Sequence, residues 1–302
     1  MNYGHLVVGP PGAGKTVYCT AAVSFMRKIK RPAVIINLDS ANEHLEVSYK
    51  PYWDIRSIIT MEKVMEDEGL GPNGAMVFCM EHLEKNLGAL LAAIRELKGG
   101  AFLIFDLPGQ TELYTVHNSL VAILHRLEKE LKLQLCVVHL VDGSQCLDPA
   151  KLVSASLTSL CGMVNFELPW LNVYSKADLC SFDEDDLRDD DRFDPERCID
   201  MLNRTESYGP FRDFNEGVRD LLAEFSLVAF TPLCSRDDKS IASLIQTADG
   251  RIGYIPGLLG ETDRDPLSIA QDMASGLYEP PEEEVSVEDQ VLEQLKGIVR
   301  PM

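Results

Sequence analysis

The chain has 302 residues, 45% of them hydrophobic and 25% charged, a globular balance that excludes both wholesale disorder and an extended coiled coil. Its 28 lysines and arginines against 48 acidic residues leave a formal net charge of -20, which repels phosphate backbones and argues against direct nucleic-acid binding. The eight cysteines are dispersed and form no CxxC pair, as expected of reduced thiols in an intracellular protein. The opening MNYGHLVVG shows no basic-then-apolar leader. No apolar run nears the roughly 18 residues of a membrane span, so no membrane partner is expected.

In chain order, residues 5–8 (HLVV) read as a buried strand, followed by a Gly-rich turn and a helix over 16–27. Residues 33–38, 101–105, 133–141 and 171–174 read as four more strands, with helical patterns between them. Such alternation predicts an α/β fold, a mostly parallel sheet flanked by helices on both faces, with a helical insertion. Met61, Val64 and Met65 form a helical packing stripe, and Val218, Leu221, Leu222 and Phe225 repeat at i, i+3, i+4 and i+7. Cys19, Cys136 and His139 fall on core positions. Residues 183–194 (DEDDLRDDDRFD) are too charged to bury, which makes them a solvated loop on an insertion over about 180–215. A core domain over 1–254 is then followed by an extension over 255–302. That extension holds an acidic linker (EPPEEE) and apolar positions Val291, Leu292, Leu295, Ile298 and Val299 at helical spacing.

Three motifs carry chemistry. Gly9-Pro10-Pro11-Gly12-Ala13-Gly14-Lys15-Thr16 satisfies GxxxxGK[ST] directly after a strand and at the start of a helix, the placement a phosphate cradle requires. Gly12 and Gly14 free the backbone N–H groups to face an anion, with the helix dipole behind them. Lys15 reaches for the β- and γ-phosphates, and the Thr16 hydroxyl for Mg2+. Asp106-Leu107-Pro108-Gly109-Gln110-Thr111-Glu112 follows a strand end. There the Asp can hold Mg2+ and the Gln can orient attacking water. Tyr174-Ser175-Lys176-Ala177-Asp178 ends the fifth strand. Its Asp can accept from guanine N1–H and N2–H2, which adenine does not offer. Residues 231–235 (TPLCS) lie where a base-lining loop is expected.

Together with Gly71-Pro72-Asn73, which alone is only a turn, DLPGQTE and SKAD resemble the GPN-loop GTPase family. Asn37-Leu38-Asp39-Ser40-Ala41-Asn42 resembles that family's NLDPAN segment, with Ser40 in place of proline. The overall pattern most resembles the second eukaryotic paralogue. The resemblance implies that Gly12, Ala13, Gly14, Lys15, Thr16 and Val17 surround the phosphates and that Ser175, Lys176, Ala177 and Asp178 surround guanine. It implies that Asp39 and Gln110 prepare the water with Glu112 nearby, and that Asp106 is the Mg2+-linked acid. It also implies a homodimer, or a heterodimer with a GPN-loop paralogue, in which the loop Gly71, Pro72 and Asn73 enters the partner's site. Slow hydrolysis of GTP to GDP, RNA polymerase subunits or assembly factors as partners, and a cytoplasmic location with shuttling to the nucleus are further implications. Insertion helices lining an apolar groove for a partner peptide belong with them. Two rival readings stand beside these: a binding module that keeps its nucleotide without turnover, and an ATP-dependent kinase on the same P-loop.

Overall fold

A computed structural model describes residues 2–41, 49–97, 100–146, 148–180, 195–204, 209–224, 229–260 and 263–277. Asn42, Phe225, the acidic stretch 183–194, the EPPEEE linker and the apolar positions from Val291 to Val299 lie outside them. The elements run β1 (Asn2–Val8), α1 (Lys15–Lys28), β2 (Ala33–Asn37), β3 (Trp53–Asp54), α2 (Met61–Glu68), α3 (Pro72–Lys85), α4 (Gly88–Arg95), β4 (Phe102–Asp106), α5 (Glu112–Thr115), α6 (Asn118–Leu131), β5 (Leu133–Asp142), α7 (Gly143–Cys146), α8 (Pro149–Phe166), β6 (Trp170–Ser175), α9 (Pro195–Arg204), α10 (Arg212–Glu224), β7 (Phe230–Pro232), α11 (Asp238–Ile252) and α12 (Pro266–Ala274). One seven-stranded sheet results, in the order β3-β2-β4-β1-β5-β6-β7. Every neighbouring pair in it is parallel.

The apolar runs have a direct cause: each central strand is buried on both faces. In β1, Leu6 and Val8 enter one core while Tyr3 and Val7 enter the other. Leu103 and Phe105 of β4 likewise separate from Phe102 and Ile104. The first core is closed by α2, α3, α4 and α6, and the second by α1, α11 and α12. Two edge strands escape sequence reading. Trp53–Asp54 and Phe230–Pro232 are too short to show a period, and Pro232 is tolerated only at an edge. Helices α9 and α10 lie between β6 and β7 and pack Cys198, Ile199, Leu202 and Leu222 into a third cluster, while Leu221 stays exposed.

Several expected core positions hold. Cys19, Cys136 and His139 are buried, and none of the eight cysteines is in a disulfide. His139 Nδ1 lies 3.1 Å from Asn172 Oδ1. Burial lowers its pKa to about 4.

One buried ion pair ties the end of the α1 region to α11: Arg31 and Asp249 meet at 2.8 Å with almost no exposure. The Arg31 guanidinium also stacks 4.3 Å from the Tyr254 ring centre. Removing one partner of such a pair leaves a desolvated charge, so Asp249→Ala is expected to destabilise the fold by about 3–5 kcal/mol. Urea unfolding checks this. A loss below about 1 kcal/mol would mean that other groups hold the guanidinium.

Candidate functional site

The motifs meet because parallel register aligns their strand ends. Val7 of β1 pairs with Asp106 of β4, Val8 with His139 of β5, and Asp142 of β5 with Ser175 of β6. The loops after β1, β2, β4, β5 and β6 therefore open at the same carboxyl edge of the sheet. β1 lies between β4 and β5 at the point where the strand order reverses, the usual ligand position in such a sheet.

The loop after β1 needs its glycines. Gly12 and Gly14 have φ of 78° and 85°, conformations that L side chains rarely adopt. Gly14 caps α1, and the helix axis points its N-terminus at the loop. Lys15 Nζ donates to the carbonyls of Gly9 and Pro10 at 3.0 and 3.2 Å. Burial lowers the Lys15 pKa, with Asp106 and Asp39 opposing that shift. The side chain of Val17 is exposed, 56% of its surface being accessible, and, being apolar, it leaves only the backbone N–H to face an anion.

The second loop is pressed against the first. A Cβ on Gly109 would come within 3.0 Å of the Pro11 backbone and 3.1 Å of Lys15 Nζ. Asp106 is buried at the end of β4, and burial pushes its carboxyl pKa up. Its Oδ2 accepts from the Thr16 hydroxyl at 3.0 Å and from the Tyr49 hydroxyl at 2.7 Å. Its Oδ1 is buried with no partner among the described residues. Such an orphan acceptor beside a hydroxyl oxygen suits a hydrated hard cation. No described cluster of three or more His, Cys, Asp or Glu side chains could hold a metal.

Asp39 sits in a turn whose stiffness comes from side chains. Its Oδ1 accepts from Ala41 N at 2.9 Å, and its own N–H donates to Asn37 Oδ1 at 3.1 Å. Burial raises the Asp39 pKa, while the Ala41 N–H and the Lys15 charge lower it. Ser40, where the family has proline, is fully buried and donates to Met76 Sδ of α3 at 3.3 Å. The turn is thereby coupled to the GPN segment.

That segment, which alone reads as a turn, begins a helix. Gly71 caps α3 and Pro72 occupies its first turn, where proline's fixed φ and missing N–H fit a helix start. Asn73 follows in that turn, exposed. Gln110 Nε2 donates to Asn73 Oδ1 of the same chain at 3.0 Å. Glu112 opens α5 beside them. Asn73, Gln110 and Glu112, with Leu70, Val77 and Phe78, line an open groove of about 400 Å³.

The segment Ser175-Lys176-Ala177-Asp178 is held from three sides. Ser175 Oγ is buried and donates to Ala13 O at 2.7 Å, with Val141 O at 3.2 Å. It therefore braces the phosphate loop instead of facing outward. Lys176 adopts a left-handed backbone with φ of 58° and its ammonium lies 2.7 Å from Asp142 Oδ2. Partial burial disfavours the Asp142 charge, but the Lys176 and Ser144 donors outweigh it and hold its pKa down. Ala177 N donates to Leu233 O at 3.1 Å, which places the 231–235 loop beside the segment as expected. Asp178 remains exposed on a single 3-10 turn, Ala177–Leu179.

With that arrangement in view, known proteins supply a close frame. Residues 7–254 match a family model described as "Conserved hypothetical ATP binding protein". A "GPN-loop GTPase 2 homolog" of Dictyostelium discoideum is 40% identical over 265 residues, covering 86% of this chain and 82% of that one. The chain belongs to the GPN-loop GTPase family. A GPN-loop GTPase 2 of Danio rerio is 38% identical, covering 89% of this chain and 87% of its own length. The fold has a solved counterpart in an apo-form GTPase from Pyrococcus abyssi, with a TM-score of 0.67 and 22% identity, covering 82% of this chain and 97% of that one. Among the described residues of this GPN-loop family member, no helix is long and apolar enough to cross a membrane. Sequence reasoning did not find Tyr49 or Asp142. Asp142, at a strand end facing SKAD, carried a signal in its position; Tyr49 carried none.

Proposed function

We propose that this chain binds GTP with Mg2+ and hydrolyses it to GDP and phosphate. The observation that carries the proposal is the Ser175 hydroxyl on the Ala13 carbonyl at 2.7 Å, which fixes the segment bearing Asp178 to the phosphate cradle. Gly12, Ala13, Gly14, Lys15, Thr16 and Val17 would hold the phosphates, and Lys176, Ala177 and Asp178 the guanine. Thr16 and Asp106 would hold Mg2+, which supplies charge neutralisation at the β- and γ-phosphates. Asp39 and Gln110 would position water, with Glu112 at the rim. The groups meeting at Gln110 and Asn73 are neutral amides. They stabilise developing negative charge less than a guanidinium does, so turnover is slow.

Calorimetric titration with GTP and ATP side by side, together with phosphate release, tests this. GTP should bind more tightly than ATP, and phosphate should appear. Equal affinities would remove the base assignment. Tight GTP binding without phosphate would leave the binding-module reading, and transfer from ATP to an acceptor the kinase reading. Lys15→Ala is expected to weaken nucleotide affinity about 100-fold, the scale of a lost charge-assisted bond to phosphate. An unchanged affinity would dissociate Lys15 from the phosphates.

A dimer is the second part of the reading, and the apolar wall of the groove beside Asn73 (Leu70, Val77 and Phe78) favours it. A second copy or a GPN-loop paralogue would cover that wall and receive Asn73. The cellular role proposed is assembly of RNA polymerase II, and by extension III, in the cytoplasm before nuclear import. It rests on family resemblance alone. Polymerase that keeps its nuclear location after depletion of this protein would overturn it.

A further inference from the structure

Tyr49 belongs to none of the motifs, yet its hydroxyl reaches the acid at the centre of the site. The ring is half-buried against the core face beneath α1, a place that phenylalanine would fill equally well. Packing therefore does not explain the hydroxyl, which donates to Asp106 Oδ2 at 2.7 Å. Thr16 Oγ1 donates to the same oxygen at 3.0 Å. Two donors on one oxygen fix the plane of a carboxylate, because rotation would break both bonds together. The other oxygen, Oδ1, is buried and without a partner among the described residues. Thr16 Oγ1 keeps lone pairs for a cation while its proton is on Asp106. Asp106 Oδ1 keeps its capacity for water on that cation.

We propose that Tyr49 is a positioning residue for the Mg2+ site: its hydroxyl clamps Asp106 Oδ2 so that Oδ1 stays committed to metal-bound water. This rests on the reading of Thr16 and Asp106 as that site. Outer partners that orient a metal-site carboxylate typically change metal affinity 10–100-fold when removed. The carboxylate here acts through water, so the lower end applies.

The competing arrangement has the opposite sign. If the Tyr49 hydroxyl occupied the place of the metal, its removal would tighten Mg2+ binding. The test is the affinity of the full chain for fluorescent GDP, measured across Mg2+ concentrations and in EDTA. Tyr49→Phe is expected to raise the Mg2+ concentration for half-maximal effect about 10-fold, and to shrink the ratio of EDTA to Mg2+ dissociation constants likewise. A merely structural tyrosine would shift the melting temperature and leave that ratio alone. Replacement of Tyr49 by 4-aminophenylalanine, which keeps a donor at the ring's para position, should restore the response. An unchanged or lowered Mg2+ requirement in Tyr49→Phe overturns the proposal. Asp106→Asn separates the two failures. If it keeps the wild-type Mg2+ response, the reading of the site itself is wrong. If it loses the response while Tyr49→Phe keeps it, only the role of Tyr49 falls.

Discussion

Asp178→Asn is expected to lower GTP affinity by at least about 100-fold and to confer affinity for xanthosine triphosphate. Under the reading proposed above, the carboxylate at this position would accept from guanine N1–H and N2–H2. An asparagine amide instead donates to the carbonyl oxygen that xanthine carries at the same ring position. Sites that read a polar edge can discriminate by about 10⁴–10⁵, because an unmatched polar group is left without its partner. The surroundings make the substitution clean. Asp178 is exposed on a short turn, so no core packing changes. The turn itself is held through Ser175 on Ala13 O, Lys176 on Asp142 and Ala177 N on Leu233 O. The melting temperature should therefore stay close to that of the parent chain, which separates lost recognition from lost folding. Competition against fluorescent GDP measures all three nucleotides in one format. Retained GTP preference would mean that Asp178 does not read the base.

The features most legible in the sequence are those set by local covalent geometry or by two-face burial. The P-loop is one, since its glycines, lysine and threonine act within a few residues of one another. The central strands are another, because Leu6 and Val7 must both be apolar when each faces a different core. Legibility ends where a role depends on what comes close in space. Ser175 reads as a nucleotide contact from its place in SKAD, but no spacing shows that its hydroxyl also donates to the carbonyl of Ala13, 162 positions away. Tyr49 has no spacing that links it to Asp106, 57 positions on.

Ser40 shows how a departure from a family pattern can be absorbed. Proline would restrict φ at that place directly. Here Asp39 Oδ1 on Ala41 N and Asn37 Oδ1 on Asp39 N hold the same turn, and the Ser40 hydroxyl anchors it to Met76. The GPN segment shows the reverse. Its residues suggest a turn, yet Pro72 suits the first turn of a helix. The signal for helix lay in the 76–85 stretch that follows it, where Met76, Cys79, Met80 and Leu83 recur at helical spacing and are buried.

Asn73→Ala is expected to lower kcat by about 10²–10³, in the range seen when a single transition-state donor is lost, with GTP affinity little changed. In the structure the Asn73 carbonyl takes one N–H of Gln110 at 3.0 Å, which leaves the Gln110 carbonyl to accept from water. Without Asn73 the Gln110 side chain must be ordered anew at each turnover. The Asn73 amide nitrogen has no partner among the described residues, so its donors are available to negative charge developing on a γ-phosphate. A rise in KM at constant kcat would instead assign Asn73 to ground-state binding. Whether those donors serve their own site or a partner's is settled by mixing two inactive chains, Asn73→Ala with Lys15 intact and Lys15→Ala with Asn73 intact. Delivery across a dimer gives each mixed pair one complete site. Under the dimeric reading proposed above, hydrolysis should return as the subunits exchange. If mixed dimers form and hydrolysis stays at the level of the separate variants, Asn73 acts through the Gln110 of its own chain and the apolar groove beside it serves another occupant. Hydrolysis independent of protein concentration in a proven monomer would lead to the same assignment.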